Sequence, residues 1–444
     1  MRNLRHGLVV CLSVFLLGGA SQGFSQEVVK PETVGLSSGQ LGLMDGLLNG
    51  FVGKKQIAGA VVLLAREGKI AYLKAFGKMD DSRPMRTDTL FRIASNSKPV
   101  ATVAVLKLAE QGKIALHDPL SMYLPEFAKM NVIEKLPDGS FKMVPARRPI
   151  LVRHLINFGT GMIYSFYANA SPTPDRLYLA KLYNEAGIMD GASDHSDWTN
   201  EEYTKRVARM PLLFEPGERM ELGIGFELIG HLIKAISGMP LDAFYRRHIL
   251  DPLKMPDTVF FVPQDELARV SPLWLNDYRE VTSRAVEEDR QLFVNDIWPY
   301  NAGWHITGAK TFLSAGSGLV STAYDYFRFM QMLLNRGTLD GVPVLSRKSV
   351  ELMMTPQHGG RDDISNGQAA EFGFGGFVGK SRGFDIDPGG IAVFWITGLY
   401  GTYGRIDSQE KTVLIFFTQS DPPQITNLIW HRLVNIANAA LIAE

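Results

Sequence analysis

Residues 91–98 read Phe-Arg-Ile-Ala-Ser-Asn-Ser-Lys and carry the most informative pattern in this chain. Ser95 and Lys98 lie three residues apart, so a helix that begins at Ser95 places both side chains over one face. A serine hydroxyl is a weak nucleophile unless a nearby base removes its proton, and a desolvated lysine can be that base. This spacing can therefore build an acyl-transfer site without a histidine.

The residues after this pair predict a helix that begins near Ser95. Pro99 suits a first helical turn, Gly112 supplies a stop, and apolar residues recur between them at Val100, Val103, Leu106 and Leu108. Backbone N–H groups and the helix dipole favour developing negative charge at such an N-terminus. The helix would therefore support chemistry at Ser95.

Spacing and local context leave an alternative open. A second Ser-x-x-Lys match, Ser408 and Lys411, lies in a polar stretch before an apolar run and is predicted to be a hairpin turn. For Ser95 and Lys98 themselves, an N-cap serine beside a solvated lysine explains the local sequence equally well. The local pattern alone therefore does not decide between a nucleophile and a helix cap.

Another nucleophile pattern occurs near the start of the chain. Gly35, Ser37 and Gly39 match the G-x-S-x-G elbow of α/β-hydrolases. An elbow of that kind follows several strands, and almost no mature chain precedes this one. Ser37 or Ser38 is therefore predicted to be the N-cap of a helix.

Composition limits the possible functions. The 444 residues can form one large core or two lobes. Lys and Arg number 46 and Asp and Glu number 46, which gives no sign of nucleic-acid binding. The nine histidines are scattered without a His-Glu-x-x-His motif, so we predict neither a metal nor a cofactor.

The N-terminus has the composition of a secretory signal. Arg2 and Arg5 precede an apolar run at residues 8–17, and small residues follow at 18–20. We therefore predict a signal peptide at residues 1–25 and export to the periplasm or beyond, with a membrane anchor as the alternative. Because the single cysteine, Cys11, lies in this run, the mature chain would have no disulfide, cysteine nucleophile or zinc thiolate site.

The order of elements predicts the architecture. Apolar runs at 60–65 and 70–75 predict a hairpin, residues 118–300 are largely helical and loop-like, and a final helix covers 427–441. Further strands are predicted at residues 372–378, 391–395, 400–406 and 413–418. We predict an α/β (α+β) fold in which one antiparallel sheet is built from both chain ends and flanked by helices. The sheet lobe would comprise 27–95 and 301–444, and an inserted helical lobe would comprise 96–300.

Motifs along almost the whole mature chain resemble one family: the serine β-lactamases of class C, the penicillin-binding DD-peptidases and the β-lactamase-like esterases. No single motif identifies the family, but the order of the motifs along the chain is specific to it. They are Gly35-Leu36-Ser37, the hairpin at 60–75, residues 91–98, Leu116-His117-Asp118-Pro119-Leu120, Glu215-Pro216-Gly217, Leu228-Ile229-Gly230, Ile236-Ser237-Gly238, Asp251-Pro252-Leu253, Gly318-Leu319-Val320-Ser321-Thr322 and Gly401-Thr402.

The resemblance implies a β-lactamase/transpeptidase-like fold and a two-step acyl-enzyme mechanism. Ser95 would be the nucleophile and Lys98 the base. The backbone N–H groups of Ser95 and Leu399 would form the oxyanion hole. The implied substrate is a small-molecule ester, amide or peptidoglycan-like compound, and the oligomeric state stays open.

Two motifs depart from the family pattern. Leu222 stands where relatives have a proton-transferring tyrosine, and Ile224 stands at the motif's asparagine. In the third motif, Ile396-Thr397-Gly398 puts Ile396 at the place of the usual lysine, although a one-residue bulge would restore Trp395, as in the esterase-like relatives. We expect the substrate-binding residues to be Trp395, Thr397, Gly398 and Leu222.

A third departure is the loop at residues 157–162, where Phe158 replaces a polar residue of the relatives. His154 nearby is predicted to be a structural residue. The tyrosines that could replace the missing hydroxyl are Tyr164, Tyr167, Tyr400 and Tyr403. The sequence thus supports two hypotheses: a working serine hydrolase, or a catalytically impaired relative that binds a ligand.

Overall fold

The computed structural model describes residues 27–188, 190, 198–276, 281–282, 292–293, 299–300, 310–359, 370–379, 392–421 and 424–442. The predicted signal peptide, with Cys11, lies outside the described residues. Within the described residues no single helix is long and apolar enough to cross a membrane, and only the pair Ile224–Ser237 and Leu241–Leu250, bent by 76°, meets that requirement together.

One antiparallel sheet of seven strands is built from two distant parts of the chain. The strands are β1 (Gly59–Arg66), β2 (Lys69–Gly77), β3 (Ala370–Phe372), β4 (Phe377–Gly379), β5 (Val393–Gly398), β6 (Thr402–Asp407) and β7 (Thr412–Phe417). Their spatial order is β3-β4-β5-β6-β7-β1-β2. The junction of the two chain parts is the pairing of β1 with β7, from Val61–Phe417 to Arg66–Thr412. The predicted sheet is therefore confirmed, whereas the lobe limits at 96 and 300 stay a prediction.

Both faces of this sheet are covered, which explains why β1 is an unbroken apolar run. Alternate side chains point to opposite faces of a strand. Val61 and Leu63 pack on the inner face, in the core that contains helix Ser97–Glu110. Val62 and Leu64 pack on the outer face, in the core that contains helices Ser38–Gly53 and Gln424–Ala439.

Helices and short strands make up the rest of the described chain. The remaining helices are Val152–Ile156, Ser165–Ala170, Pro174–Glu185, Asn200–Val207, Ile229–Ser237, Leu241–Tyr245, Ala323–Leu334 and Arg347–Met353. The short strands are Phe91–Arg92 with Val320–Ser321, Asn131–Lys135 with Phe141–Pro145, Thr338–Leu339 with Val342–Pro343, Leu292–Phe293 with Pro299–Tyr300, and Trp274–Asn276 with Val281–Thr282 and Ser420–Asp421.

The sequence analysis missed one turn of the sheet and predicted another. The strand predicted at 372–378 is wrong as a single element: the Gly373 N–H bonds the Gly376 carbonyl at 2.9 Å, and Gly375 has a φ of +78°, so β3 and β4 form a hairpin. Ser408 and Lys411 do lie in the turn between β6 and β7. Ser37 caps helix Ser38–Gly53, because its Oγ accepts the Gln40 N–H at 3.2 Å.

Candidate active site

Ser95 and Lys98 meet where a short turn becomes a helix. Ser95 lies in the 3₁₀ turn Ala94–Asn96, and Lys98 lies in the first turn of helix Ser97–Glu110. The Lys98 Nζ donates to the Ser95 Oγ at 2.9 Å. Asn96 is the N-cap residue of the helix and makes no side-chain capping bond. The reading of Ser95 as an N-cap beside a solvated lysine is therefore wrong, since Lys98 is only 2% exposed.

The Lys98 ammonium lies in an aromatic environment. Its Nζ lies 5.9 Å from the ring centre of Phe158 and 5.6 Å from those of Tyr164 and Phe226. A second donor bond, at 2.9 Å, goes to the carbonyl of Gly316. Burial disfavours the charged amine and lowers the pKa of Lys98, which makes a neutral, proton-accepting lysine accessible near neutral pH.

Two residues beside the pair have an unusual backbone conformation. Ala94, directly before Ser95, has a φ of +45°, and Phe158 has a φ of +60°. Residues other than glycine adopt this region at a cost of about 1–3 kcal/mol and are concentrated at functional sites. The surrounding structure therefore imposes the conformation that presents Ser95 and the Phe158 ring to Lys98.

The turn that carries Ser95 is fixed to the sheet through Thr402 of β6. The Thr402 hydroxyl donates to the Ile93 carbonyl at 3.0 Å and accepts the Asn96 side-chain amide at 2.9 Å. Gly398 of β5 lies opposite Thr402, and a Cβ there would collide with the Thr402 hydroxyl and with the backbone carbonyl of Ile93. Glycine at 398 is thus required for the close approach of the strand to the nucleophile turn.

Leu399, predicted to supply an oxyanion-hole N–H, begins the turn from β5 to β6 rather than continuing a strand. The Gly398 carbonyl accepts the Gly401 N–H at 3.0 Å and so points into this turn. In a planar trans peptide the next N–H points the opposite way, so the Leu399 N–H points away from β6. The described pairs between β4 and β5 are Phe377–Trp395 and Val378–Phe394, so no described partner covers that edge at Gly398.

The prediction of a bulge that would bring Trp395 into the site is wrong. β5 and β6 pair in one continuous register from Val393–Asp407 to Gly398–Thr402, with no shift. Trp395 consequently lies on the outer face, stacked on Phe377 with ring centres 5.7 Å apart. Ile396, which the sequence predicts at the position of the family's lysine, lies on the other face and is 2% exposed.

Thr397 also projects away from the nucleophile. It lies opposite Tyr403, whose ring stacks on Trp430 in the outer core with centres 4.5 Å apart. Directly opposed residues of a pair point to the same face. The predicted contribution of Thr397 to substrate binding is therefore limited to its main chain, and Tyr403 is not a replacement for the missing tyrosine.

Tyr164 is the predicted tyrosine that the fold brings to Lys98. Its N–H donates to the Leu222 carbonyl at 3.2 Å, so the loop after Phe158 runs beside the altered tyrosine motif. Tyr164 is 7% exposed, and burial raises the pKa of its phenol well above the usual value. Leu222 is half-buried beside it.

His154 has a structural position. It lies in helix Val152–Ile156, and its Nδ1 accepts the Leu151 N–H at 3.1 Å. A Cβ at Gly217 would lie 2.8 Å from its Nε2, so the imidazole packs against the Pro-Gly turn. Burial lowers the pKa of His154 to about 4 and keeps the ring neutral.

The sequence reasoning missed Glu227 and Gly316. Glu227 is fully buried in the turn Ile224–Leu228, and its carboxylate lies against Gly316, whose carbonyl binds Lys98. The signal was present, because Glu227 is the acidic residue inside an otherwise apolar run at 222–230. Acidic residues are almost never fully buried unless they are paired.

Comparison with known proteins agrees with this geometry. A family model described as Beta-lactamase matches residues 44–438. The chain belongs to this family. Protein Rv1367c of Mycobacterium tuberculosis is 30% identical over 383 residues, which cover 82% of this chain and 86% of that protein. Esterase EstB of Burkholderia gladioli is 33% identical over 225 residues, covering 50% and 52%.

Solved structures agree on the fold. EstCE1, described as a hydrolase with promiscuous acyltransferase activity, superposes with a TM-score of 0.74 at 24% identity, covering 91% of this chain and 99% of that one. The predicted β-lactamase/transpeptidase fold is confirmed. The prediction that the chain is a serine hydrolase of this superfamily is confirmed as well.

Proposed function

We propose that the chain is an exported esterase that forms an acyl-enzyme on Ser95, with Lys98 as the base. The observation that carries this proposal is the 2.9 Å bond between the Lys98 Nζ and the Ser95 Oγ. The pair lies where a lowered lysine pKa allows proton transfer. Export is supported by the basic and apolar composition of residues 1–20.

In the first step Lys98 accepts the Ser95 proton while the Ser95 Oγ attacks the acyl carbon. The oxyanion is bound by the N–H groups of Ser95 and Leu399, each of which is worth roughly 10²–10³ in rate. The alcohol leaves with a proton from Lys98. Water, deprotonated by the same amine, then releases the acyl group.

Esters are the favoured substrates because the site has lost the family's cation. Ile396 stands where a lysine would bind a substrate carboxylate, and aromatic rings line the approach to Lys98. The name of the relative EstB points to the same chemistry. An ester also has a better leaving group than an amide, which suits a site with Leu222 in place of a proton-donating tyrosine.

Covalent labelling tests the proposal. The purified chain is treated with a fluorophosphonate or a labelled penicillin, and its intact mass is measured beside the turnover of p-nitrophenyl esters. We expect a fluorophosphonate adduct that is lost in Ser95→Ala and retained in Ser37→Ala, the control for the second serine motif.

Absence of an adduct from either probe, with ester turnover no higher than in Ser95→Ala, would contradict the proposal. That result would favour the alternative, a ligand-binding relative with an impaired site. The motif changes at Leu222 and Ile396 motivate the alternative, and the intact bond between Ser95 and Lys98 opposes it.

A further inference from the structure

Glu227 is a buried carboxylate that the acyl-enzyme mechanism does not use. It is 0% exposed and lies between Phe226 and Leu228, both of which are also fully buried. Removing a carboxylate from water is costly unless another group compensates its charge. A side chain in this position is stabilised either by taking up a proton or by a partner of opposite charge.

Gly316 brings Glu227 and Lys98 together. The Gly316 carbonyl accepts the Lys98 ammonium at 2.9 Å. The Glu227 Oε1 lies so close to the Gly316 Cα that any side chain there would collide with it. One residue without a side chain thus contacts both charged groups, and its missing Cβ leaves room for the carboxylate.

Within the part of the chain that the structure describes, the elements packed around Lys98 offer no other charge of this kind. Its own turn contributes the Ser95 hydroxyl, and the neighbouring loops contribute the rings of Phe158, Tyr164 and Phe226. Among the described residues, Glu227 is the acidic side chain that acts on Lys98: its charge raises the pKa of the amine against the effect of burial. Burial raises the pKa of Glu227 above its usual value, and the Ser314 hydroxyl and Lys98 oppose that rise. Both carboxylate oxygens are buried without a hydrogen-bond partner among the described residues, which leaves the charge of Lys98 as the compensation for their ionised form.

We propose that Glu227 is the counter-ion of Lys98, a positioning residue that stabilises the ammonium formed when Lys98 accepts the Ser95 proton. This inference rests on the proposed function. In the step concerned, the Ser95 O–H bond breaks, the proton goes to the Lys98 nitrogen, the Oγ–acyl bond forms and the carbonyl π pair moves onto oxygen. Without Glu227, the new positive charge would stand among aromatic rings and carbonyl dipoles alone.

Glu227→Gln tests the proposal because glutamine keeps the shape and removes the charge. We expect kcat for a p-nitrophenyl ester to fall at least 10-fold. We also expect the acid limb of kcat/KM to move to lower pH, because the charge that raises the Lys98 pKa is gone. Glu227→Asp, which keeps the charge, is the matched control and is expected to leave the limb near its wild-type position.

Gly316→Ala is a second, independent perturbation. It keeps both charged groups in the chain and forces the carboxylate away, so the limb should move in the same direction as in Glu227→Gln. A purely structural role for Glu227 would lower stability without moving the limb. If the wild type is active and the acid limb of kcat/KM stays in place in both variants, or moves to higher pH, this inference alone is overturned. If the wild type is inactive and is not labelled, the proposed function is overturned and this inference with it.

Discussion

Thr402 connects the turn that carries Ser95 to the sheet, and valine can replace it without a change of shape. Thr402→Val deletes the bond to the Ile93 carbonyl and the bond from the Asn96 amide. Thr402 is 1% exposed, so water cannot substitute for the hydroxyl. We expect this variant to lose both stability and turnover.

The size of the expected stability loss follows from the hydrogen bonds that Ile93 and Asn96 keep in the variant. The Ile93 carbonyl keeps its bond from the Asn96 N–H, at 3.0 Å. The Asn96 side chain loses its bond from the amide nitrogen, and its Oδ1 is already a buried atom without a partner among the described residues. One weakened acceptor and one orphaned buried amide amount to about 2–4 kcal/mol in the free energy of unfolding. Displacement of the Ser95 Oγ by a fraction of an ångström should lower kcat about 10- to 100-fold.

Urea unfolding and ester turnover measure the two effects separately, and Thr258→Val is the matched control. Thr258 is equally buried and also makes two side-chain bonds, to Ser321 and Asp325, neither of which touches Ser95 or Lys98. This control should lose stability and keep kcat. A Thr402→Val protein with wild-type kcat and a stability loss like that of the control would refute the link between Thr402 and the nucleophile.

Two further substitutions examine the aromatic groups near the third motif and Lys98. Tyr164→Phe keeps the ring beside Lys98 and removes a hydroxyl that the proposed mechanism does not use; we expect kcat to stay within about threefold with little change in Tm, whereas a fall of about 10²-fold, the usual cost of losing a general acid or base, would place Tyr164 in the proton path. Trp395→Phe alters the outer face and should leave kcat/KM for p-nitrophenyl esters within about twofold, whereas a large loss would place the indole in the substrate site after all. Both variants are compared by steady-state kinetics on one ester series.

The fold and the contact between Ser95 and Lys98 could be predicted because their signals are short motifs. Ser95, Lys98 and the apolar positions after them lie within one short segment, and the order of further motifs follows the family. The four-residue break between β3 and β4 was missed because an apolar run with internal glycines is typical of a single strand, although Gly375 needs a positive φ. Backbone conformation of this kind is only weakly encoded in the apolar pattern.

The surroundings of Lys98 could not be predicted, because they depend on loops that are far apart in sequence. Tyr164, Glu227 and Gly316 meet only when the Phe158 loop, the turn Ile224–Leu228 and the segment before Val320 pack together. The bulge at Trp395 was wrong for a related reason. Register is set by the whole β5–β6 pair, in which a one-residue slip would exchange the inner and outer faces.

The changes at positions 222 and 396 need not mean that catalysis is lost. Replacing a tyrosine and a lysine by Leu222 and Ile396 removes polar groups, and it also removes two sites at which water or substrate carboxylates would bind. Because Lys98 and Glu227 are both buried, the attraction between them is stronger than it would be in water. Burial lowers the pKa of the amine while the carboxylate limits that fall, so the base can be neutral before proton transfer and stabilised after it. In the mechanism that we propose, this arrangement favours uncharged esters, whose reaction needs one proton moved over a short distance and no charged anchor on the substrate.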